Sequence, residues 1–313
     1  MRFLNPVVIG AGTMGADIAL TLARARHDVQ LVEPESGMRE RVGARLERGA
    51  SQLDPRPDTN RIVVRSGLDD VSWSAVDLVI EAIPEKLELK RALFRDLASR
   101  IRPDTVLASN SSSFPISAIA EGIAHPERAY GLHYFMPAHV VPLVEVVCGA
   151  ASDPDGAKAL ADFMRETGKV PVLVRKDLPG FLANRLQHAL GREALALVES
   201  GVATVEDVDA AVRYGFGFRY LAAGPLLQRD HAGLDIHAAA AATIYPTLSN
   251  TTCPSRELTD RVAAGRTGMK AGAGFREWTA ESAATERARY ERILRGALDL
   301  VTDELPDPAG TPR

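Results

Sequence analysis

The sequence predicts an α/β protein: a Rossmann-like, mostly parallel sheet domain followed by an all-α C-terminal domain. Three observations carry this. Short β-branched runs alternate with helical stretches up to Val174, the pattern of a parallel sheet covered by helices. A G-x-G-x-x-G turn stands between the first strand and the first helix. Beyond Gly180 the apolar spacing turns to a period near 3.6 and no strand run follows.

In chain order, Val7–Ile9 reads as the first strand, and Met14–Arg26 as the helix opened by the Gly-rich turn. Val29–Val32 is the next strand and Gly37–Gln52 the next helix. Asp54-Pro55-Arg56-Pro57-Asp58 is a turn-rich break before the strand Ile62–Arg65. Leu78–Glu81, Val106–Ser109, Ala129–Leu132, Leu143–Val147 and Val170–Val174 supply the remaining strands, with helices over Leu87–Arg100 and Asp155–Thr167. A boundary falls at Asp177-Leu178-Pro179-Gly180, giving a sheet domain over 1–178. A helical domain over 179–305 follows, with helices at Asn184–Gly201, Val205–Tyr214 and Ala232–Tyr245, and 306–313 reads as a polar, flexible tail.

Composition bounds the class. With 46% hydrophobic and 25% charged residues, the 313-residue chain is in the soluble globular range and long enough for two cores. A net charge of −4 gives no reason to expect nucleic acid or an anionic membrane as partner. No apolar run is long enough for a membrane span, and the N-terminus reads as a strand rather than a signal peptide. Two cysteines, Cys148 and Cys253, suit reduced thiols in a cytoplasmic protein better than a disulfide framework.

The cofactor expected is NAD. In the turn Gly10, Gly12, Thr13, Met14 and Gly15, Gly10 allows the tight bend and Gly12 lets backbone approach a pyrophosphate. Gly15 permits close helix–strand packing, and the phosphates rest on the positive helix N-terminus. Glu33 ends the second strand at about the 20-residue offset of a ribose-binding acid. A carboxylate there accepts bonds from both ribose hydroxyls and repels a 2′-phosphate, favouring NAD over NADP.

The catalytic candidates lie further on. Gly131-Leu132-His133 ends one apolar run, and Leu143-Val144-Glu145-Val146-Val147 embeds a glutamate in the next. An unpaired carboxylate in a strand interior is costly, and the natural partner for Glu145 is the His133 imidazole, which it would orient as a general base. His231 and His237 have a spacing that could suggest a metal, but no cysteine or third ligand converges, so no metal is expected.

These residues resemble the L-3-hydroxyacyl-CoA dehydrogenase family, including its λ-crystallin/L-gulonate dehydrogenase branch. The likeness runs from about Val7 to Phe275. It is carried by the Gly-rich turn, Ile80-Glu81-Ala82-Ile83-Pro84-Glu85 with Lys90, Ser109-Asn110-Ser111-Ser112-Ser113, the His133 and Glu145 segments, Pro179-Gly180-Phe181-Leu182-Ala183-Asn184-Arg185, and Gly268–Phe275. The resemblance implies a helical C-terminal domain that forms a homodimer and a role in fatty-acid metabolism. It also implies NAD contacts from Glu85, Lys90 and Lys270, with Ser112 facing substrate and cofactor together and Asn184 beside the reacting carbon. His133, Glu145, Ser112 and Asn184 would form the catalytic group, with Ser112 and Asn184 donating to the substrate oxygen.

Two departures bear on the substrate. Met136 stands where the acyl-CoA enzymes usually carry asparagine, and Glu47–Asn60 is short where they generally have a lysine-bearing arm touching CoA. The leading reading is an NAD-dependent dehydrogenase that interconverts an L-3-hydroxyacyl group, as CoA ester or free acid, and its 3-keto form; the alternatives are a dehydrogenase of a small non-CoA hydroxy acid or carbonyl-bearing carboxylate, and a catalytically silent NAD-binding protein. Arg219 and Arg229 could grip a substrate carboxylate.

Overall fold

In the computed structural model, which describes residues 3–308, the apolar runs of the first half form one eight-stranded sheet. The chain runs through β1 (Pro6–Ile9), α1 (Thr13–Arg24), β2 (Val29–Val32), α2 (Ser36–Ala50), β3 (Ile62–Arg65), β4 (Leu78–Glu81) and α3 (Leu87–Arg100). It continues through β5 (Val106–Ser109), α4 (Ile116–Ile119), β6 (Ala129–Tyr134), β7 (Leu143–Cys148), α5 (Pro154–Glu166) and β8 (Val170–Val174). The spatial order is β3-β2-β1-β4-β5-β6-β7-β8. The pairs from β3 across to β6 are parallel, β7 runs antiparallel to β6, and β8 is parallel to β7. Strand order reverses between β1 and β4, which opens a crevice beyond their carboxyl ends.

The central strands are buried on both faces, which is why they read as unbroken apolar runs. Successive side chains alternate between two cores: Val8 and Ile80 pack with Ile18, Leu22 and Leu160, and Val7 and Val79 with Phe94, Leu97 and Ile119. Truncating the fully buried Phe94 to alanine would cost about 3–5 kcal/mol in lost contacts and cavity. Local signals set the helix ends. Asp153 caps α5 by accepting from the N–H groups of Asp155 and Gly156, with Pro154 in the first turn.

β6 extends two residues past the expected end at Leu132, so His133 lies inside a strand rather than after one. Pairing with β7 decides this, because the antiparallel ladder continues to Tyr134 opposite Val144.

The chain divides into two compact units, one ending at Arg185 and regaining the chain at Thr302, the other spanning Leu186–Val301. Helix α6 (Ala183–Glu199) leads out of the first. The second unit is helical, with Val205–Ala211, Leu227–Ala232, Leu234–Ile244, Arg256–Ala263 and the 21-residue helix Ala280–Leu300. That last helix is absent from the sequence reading, although Thr279 and Ser282 form a capping box at its start. Among the described residues of this unit only Ala223 and Ala283 are buried hydrophobics, while Tyr214, Phe218, Leu226 and Leu300 are all more than 70% exposed. Of the expected tail, Pro308 is buried against Gly168, and 309–313 lie outside the described residues.

Candidate active site

The Gly-rich turn leaves β1 with Gly10 at φ +96°, and a Cβ there would sit 2.8 Å from the Ala82 carbonyl oxygen. Gly15 lies so close to the same turn that a Cβ would overlap the Gly10 oxygen at 1.7 Å. Gly12 differs: nothing lies within 4 Å of where its Cβ would be, so the open side of the turn is free for a ligand. The first N–H groups of α1 have no helical partner and no side-chain cap. A pyrophosphate fits this donor set and this space.

Glu33, at the end of β2, is buried, and its carboxylate ties the turn together. Oε2 accepts from Ala11 N at 2.9 Å and Oε1 from Glu35 N at 3.0 Å. Arg39 folds back onto the carbonyls of Glu33 and Pro34, at 2.9 and 2.6 Å, rather than reaching out toward a 2′-phosphate.

A second network orders the turn that presents Ser112. Lys90, expected at the cofactor, is only 1% exposed; its ammonium is 2.6 Å from Glu81 Oε1 and 3.2 Å from Glu85 Oε2. Ser109 donates to the other Glu81 oxygen at 2.6 Å. Glu85 Oε1 accepts from Ser111 Oγ, Ser112 N and Ser113 N at 2.6, 3.0 and 2.9 Å. Burial pushes the Glu85 carboxyl up, but the bonds from Ser111 and Ser113 and the Lys90 charge outweigh it and hold the group below the ordinary glutamate range. Lys90 thus reaches the serine turn through Glu85.

His133 and Glu145 face each other across β6 and β7, with Nδ1 2.8 Å from Oε2. The imidazole packs against Phe135 and Phe181, ring centroids 4.5 and 5.6 Å away. Glu145 Oε1 accepts from Leu182 N and Ala183 N at 3.1 and 2.7 Å, which fastens the start of α6 to the sheet. Asn184 follows, its amide donating to the Ser112 carbonyl at 3.4 Å. His133, Glu145, Ser112 and Asn184 therefore lie in one bonded neighbourhood. With Nδ1 taken by Glu145, Nε2 is the ring nitrogen left for a substrate proton.

Sequence reasoning missed several supporting groups. Glu81, Ser109 and Ser111 hold the serine turn, and Phe181, buried at φ +50°, walls the imidazole. The apolar run Leu78-Val79-Ile80-Glu81 carried the same signal as Glu145, a carboxylate inside a strand. Lys270 stands exposed on the turn Met269–Ala271 of the second unit. His237 Nδ1 lies 2.9 Å from Arg229 Nη1.

Sheet order, Gly-rich turn and the acid ending β2 define a dinucleotide-binding protein of the Rossmann class. The 3-hydroxyacyl-CoA dehydrogenase NAD-binding domain matches residues 6–178 and the C-terminal domain of the same family matches 180–278. The chain belongs to the 3-hydroxyacyl-CoA dehydrogenase family and is an NAD-dependent oxidoreductase acting on CH–OH groups. It is 34% identical over 305 residues to 5-formyl-3-hydroxy-2-methylpyridine 4-carboxylate 5-dehydrogenase of Mesorhizobium japonicum, covering 93% of this chain and 98% of that one. The crystal structure of a 5-dehydrogenase of this pyridine carboxylate, an NAD+-dependent dismutase, superposes with a TM-score of 0.92 at 32% identity, covering 96% and 99% of the two chains. The 3-hydroxyadipyl-CoA dehydrogenase of Escherichia coli is 38% identical over 284 residues, 88% of this chain and 59% of that protein.

Proposed function

We propose that the protein oxidises and reduces a small hydroxy or carbonyl carboxylate that is not a CoA ester, with His133 as general base. One observation carries the substrate class. After α2 ends at Ala50 the chain returns to the sheet through a short loop, with no extended arm for a CoA moiety. Arg56, one of two basic residues there, is paired with Glu47, which also accepts from Thr59 at 2.6 Å. The full-length similarity to a pyridine carboxylate dehydrogenase supports the same class.

Held at the Gly10–Gly15 turn and Glu33, NAD would supply the hydride acceptor for the carbinol carbon. His133 Nε2 accepts the hydroxyl proton, and Glu145 holds Nδ1 and stabilises the imidazolium. Ser112 Oγ and Asn184 Nδ2 donate to the substrate oxygen as its charge develops. Glu33 binds the adenosine ribose, and Glu85 sets the serine turn beside the nicotinamide. Residues 1–178 handle the cofactor, and 179–305 supply substrate contacts and the homodimer.

The dimer reading draws on the exposed apolar side chains of the second unit, which need a covering partner. A second copy is that partner, and sedimentation should give twice the 33.6 kDa chain mass. No described helix is long and apolar enough to cross a membrane, and both cysteines are free, which suits the cytoplasm.

A second reading, a 3-hydroxyacyl-CoA substrate, is favoured by the 38% identity to the E. coli adipyl-CoA enzyme. NADH consumption with acetoacetyl-CoA, free acetoacetate and a formylpyridine carboxylate, each with His133→Ala beside the parent, separates the two. Turnover of the thioester alone would replace the proposal with the CoA reading.

A further inference from the structure

A buried polar cluster apart from the His133 site joins the dinucleotide-binding helix to the loop between β6 and β7. Asp17 is buried in the second turn of α1, about 6 Å along the axis from Thr13. The first turn carries no acidic residue, as an anion site requires, but a buried carboxylate this close opposes a pyrophosphate unless it is compensated. Arg45 and His139 lie within 3.2 Å of it, and the buried Lys169 ammonium also feels its charge. Arg45 Nη2, from α2, lies 3.2 Å from Oδ1 and also donates to the Thr13 carbonyl at 3.0 Å. His139 Nδ1 lies 3.0 Å from Oδ2, a close charge contact outside hydrogen-bonding geometry.

The imidazole is held in place from both sides. Its Nε2 is 2.9 Å from Gln52 Oε1, so both ring nitrogens lie beside side-chain oxygens. Lys169, buried, donates to the carbonyls of Ala138 and Val141 at 2.6 and 2.8 Å and so clamps the chain on either side of His139. Protonating the ring adds one positive charge to the group that Asp17, Arg45 and Lys169 form under the phosphate-binding turn.

We propose that His139 is a positioning residue for the cofactor, acting through Asp17: as imidazolium it keeps the pyrophosphate end of α1 positive. Its role needs no substrate and stands apart from the reading of substrate class above.

The test is NADH affinity by fluorescence titration at about pH 6, where an imidazole is protonated, with melting curves alongside. His139→Gln should bind NADH about tenfold more weakly than the parent. Adding Asp17→Asn to it should restore affinity to within about twofold, because removing one negative charge offsets the lost imidazolium charge. A packing role would instead make the losses accumulate. Parental affinity in His139→Gln, or a double variant binding no better than His139→Gln, would overturn the proposal. Should His139→Gln lose its cooperative melt, Asp17→Asn alone decides: it must bind NADH at least as tightly as the parent, and weaker binding overturns the idea.

Discussion

Glu145 stands directly opposite His133 on the adjoining antiparallel strand and holds its Nδ1 at 2.8 Å. Its other oxygen accepts the N–H groups of Leu182 and Ala183. One buried carboxylate therefore orients the proposed base and anchors the chain just before Asn184.

Replacing Glu145 with glutamine leaves one oxygen to serve both sides and turns an amide N–H₂ toward either the imidazole or the two backbone donors. Turnover should fall by about 10²–10⁴, as for loss of a positioned base, while NADH affinity stays near the parental value. Steady-state kinetics and NADH titration check both arms. Parental turnover in Glu145→Gln would remove the orienting role.

Gly12 and Gly15 should part company on substitution. Gly15→Ala forces a methyl into the Gly10 carbonyl oxygen and should lower stability by about 1–3 kcal/mol or more, read in urea denaturation. Gly12→Ala meets nothing within 4 Å, so it should melt like the parent yet bind NADH more weakly. A Gly12→Ala protein with parental affinity would show that the phosphates do not approach that side.

Lys90 is enclosed by Glu81 and Glu85. Lys90→Met leaves the Glu81 carboxylate buried and unpaired, at a cost of about 3–5 kcal/mol in chemical denaturation. An effect under about 1 kcal/mol, the size of an exposed pair, would mean that water reaches the site.

Burial draws the Lys169 ammonium down to about 7, the like charge of Arg24 adding to the effect and Asp17 opposing it. Between about pH 7 and the ordinary lysine value near 10.4, the unfolded chain binds the proton that the folded protein has shed. Stability relative to Lys169→Met should therefore rise with pH across that window, by up to about 1.4 kcal/mol per unit. Denaturation of both proteins at pH 7, 8 and 9 gives the slope. A constant gap would show the ammonium to be charged throughout.

Much of the fold was legible because it rests on local physics. The β-branched runs, the Gly-rich turn after β1, and Glu33 at its offset each report on their own few residues. His133 and Glu145 could be paired from a distance because a carboxylate inside Leu-Val-Glu-Val-Val demands a partner. Lys90 shows the limit. Its place in the motif suggested a cofactor contact, but only its helix packing on β4 turns the ammonium inward to Glu81.

The sequence by itself determined the order of strands and main helices up to Val174, the site of the dinucleotide turn and the identity of the proposed base and its partner, since periodicity and the cost of isolated charge are written into short segments. Tertiary structure alone decided that β7 runs against β6, so that Glu145 meets His133 in register, and that Asp17, Arg45 and His139 converge. Those residues are separated by 28 and 94 positions, and no local preference connects them. Only the stacking of α1, α2 and the β6–β7 loop around a common core brings their charges within 3.2 Å.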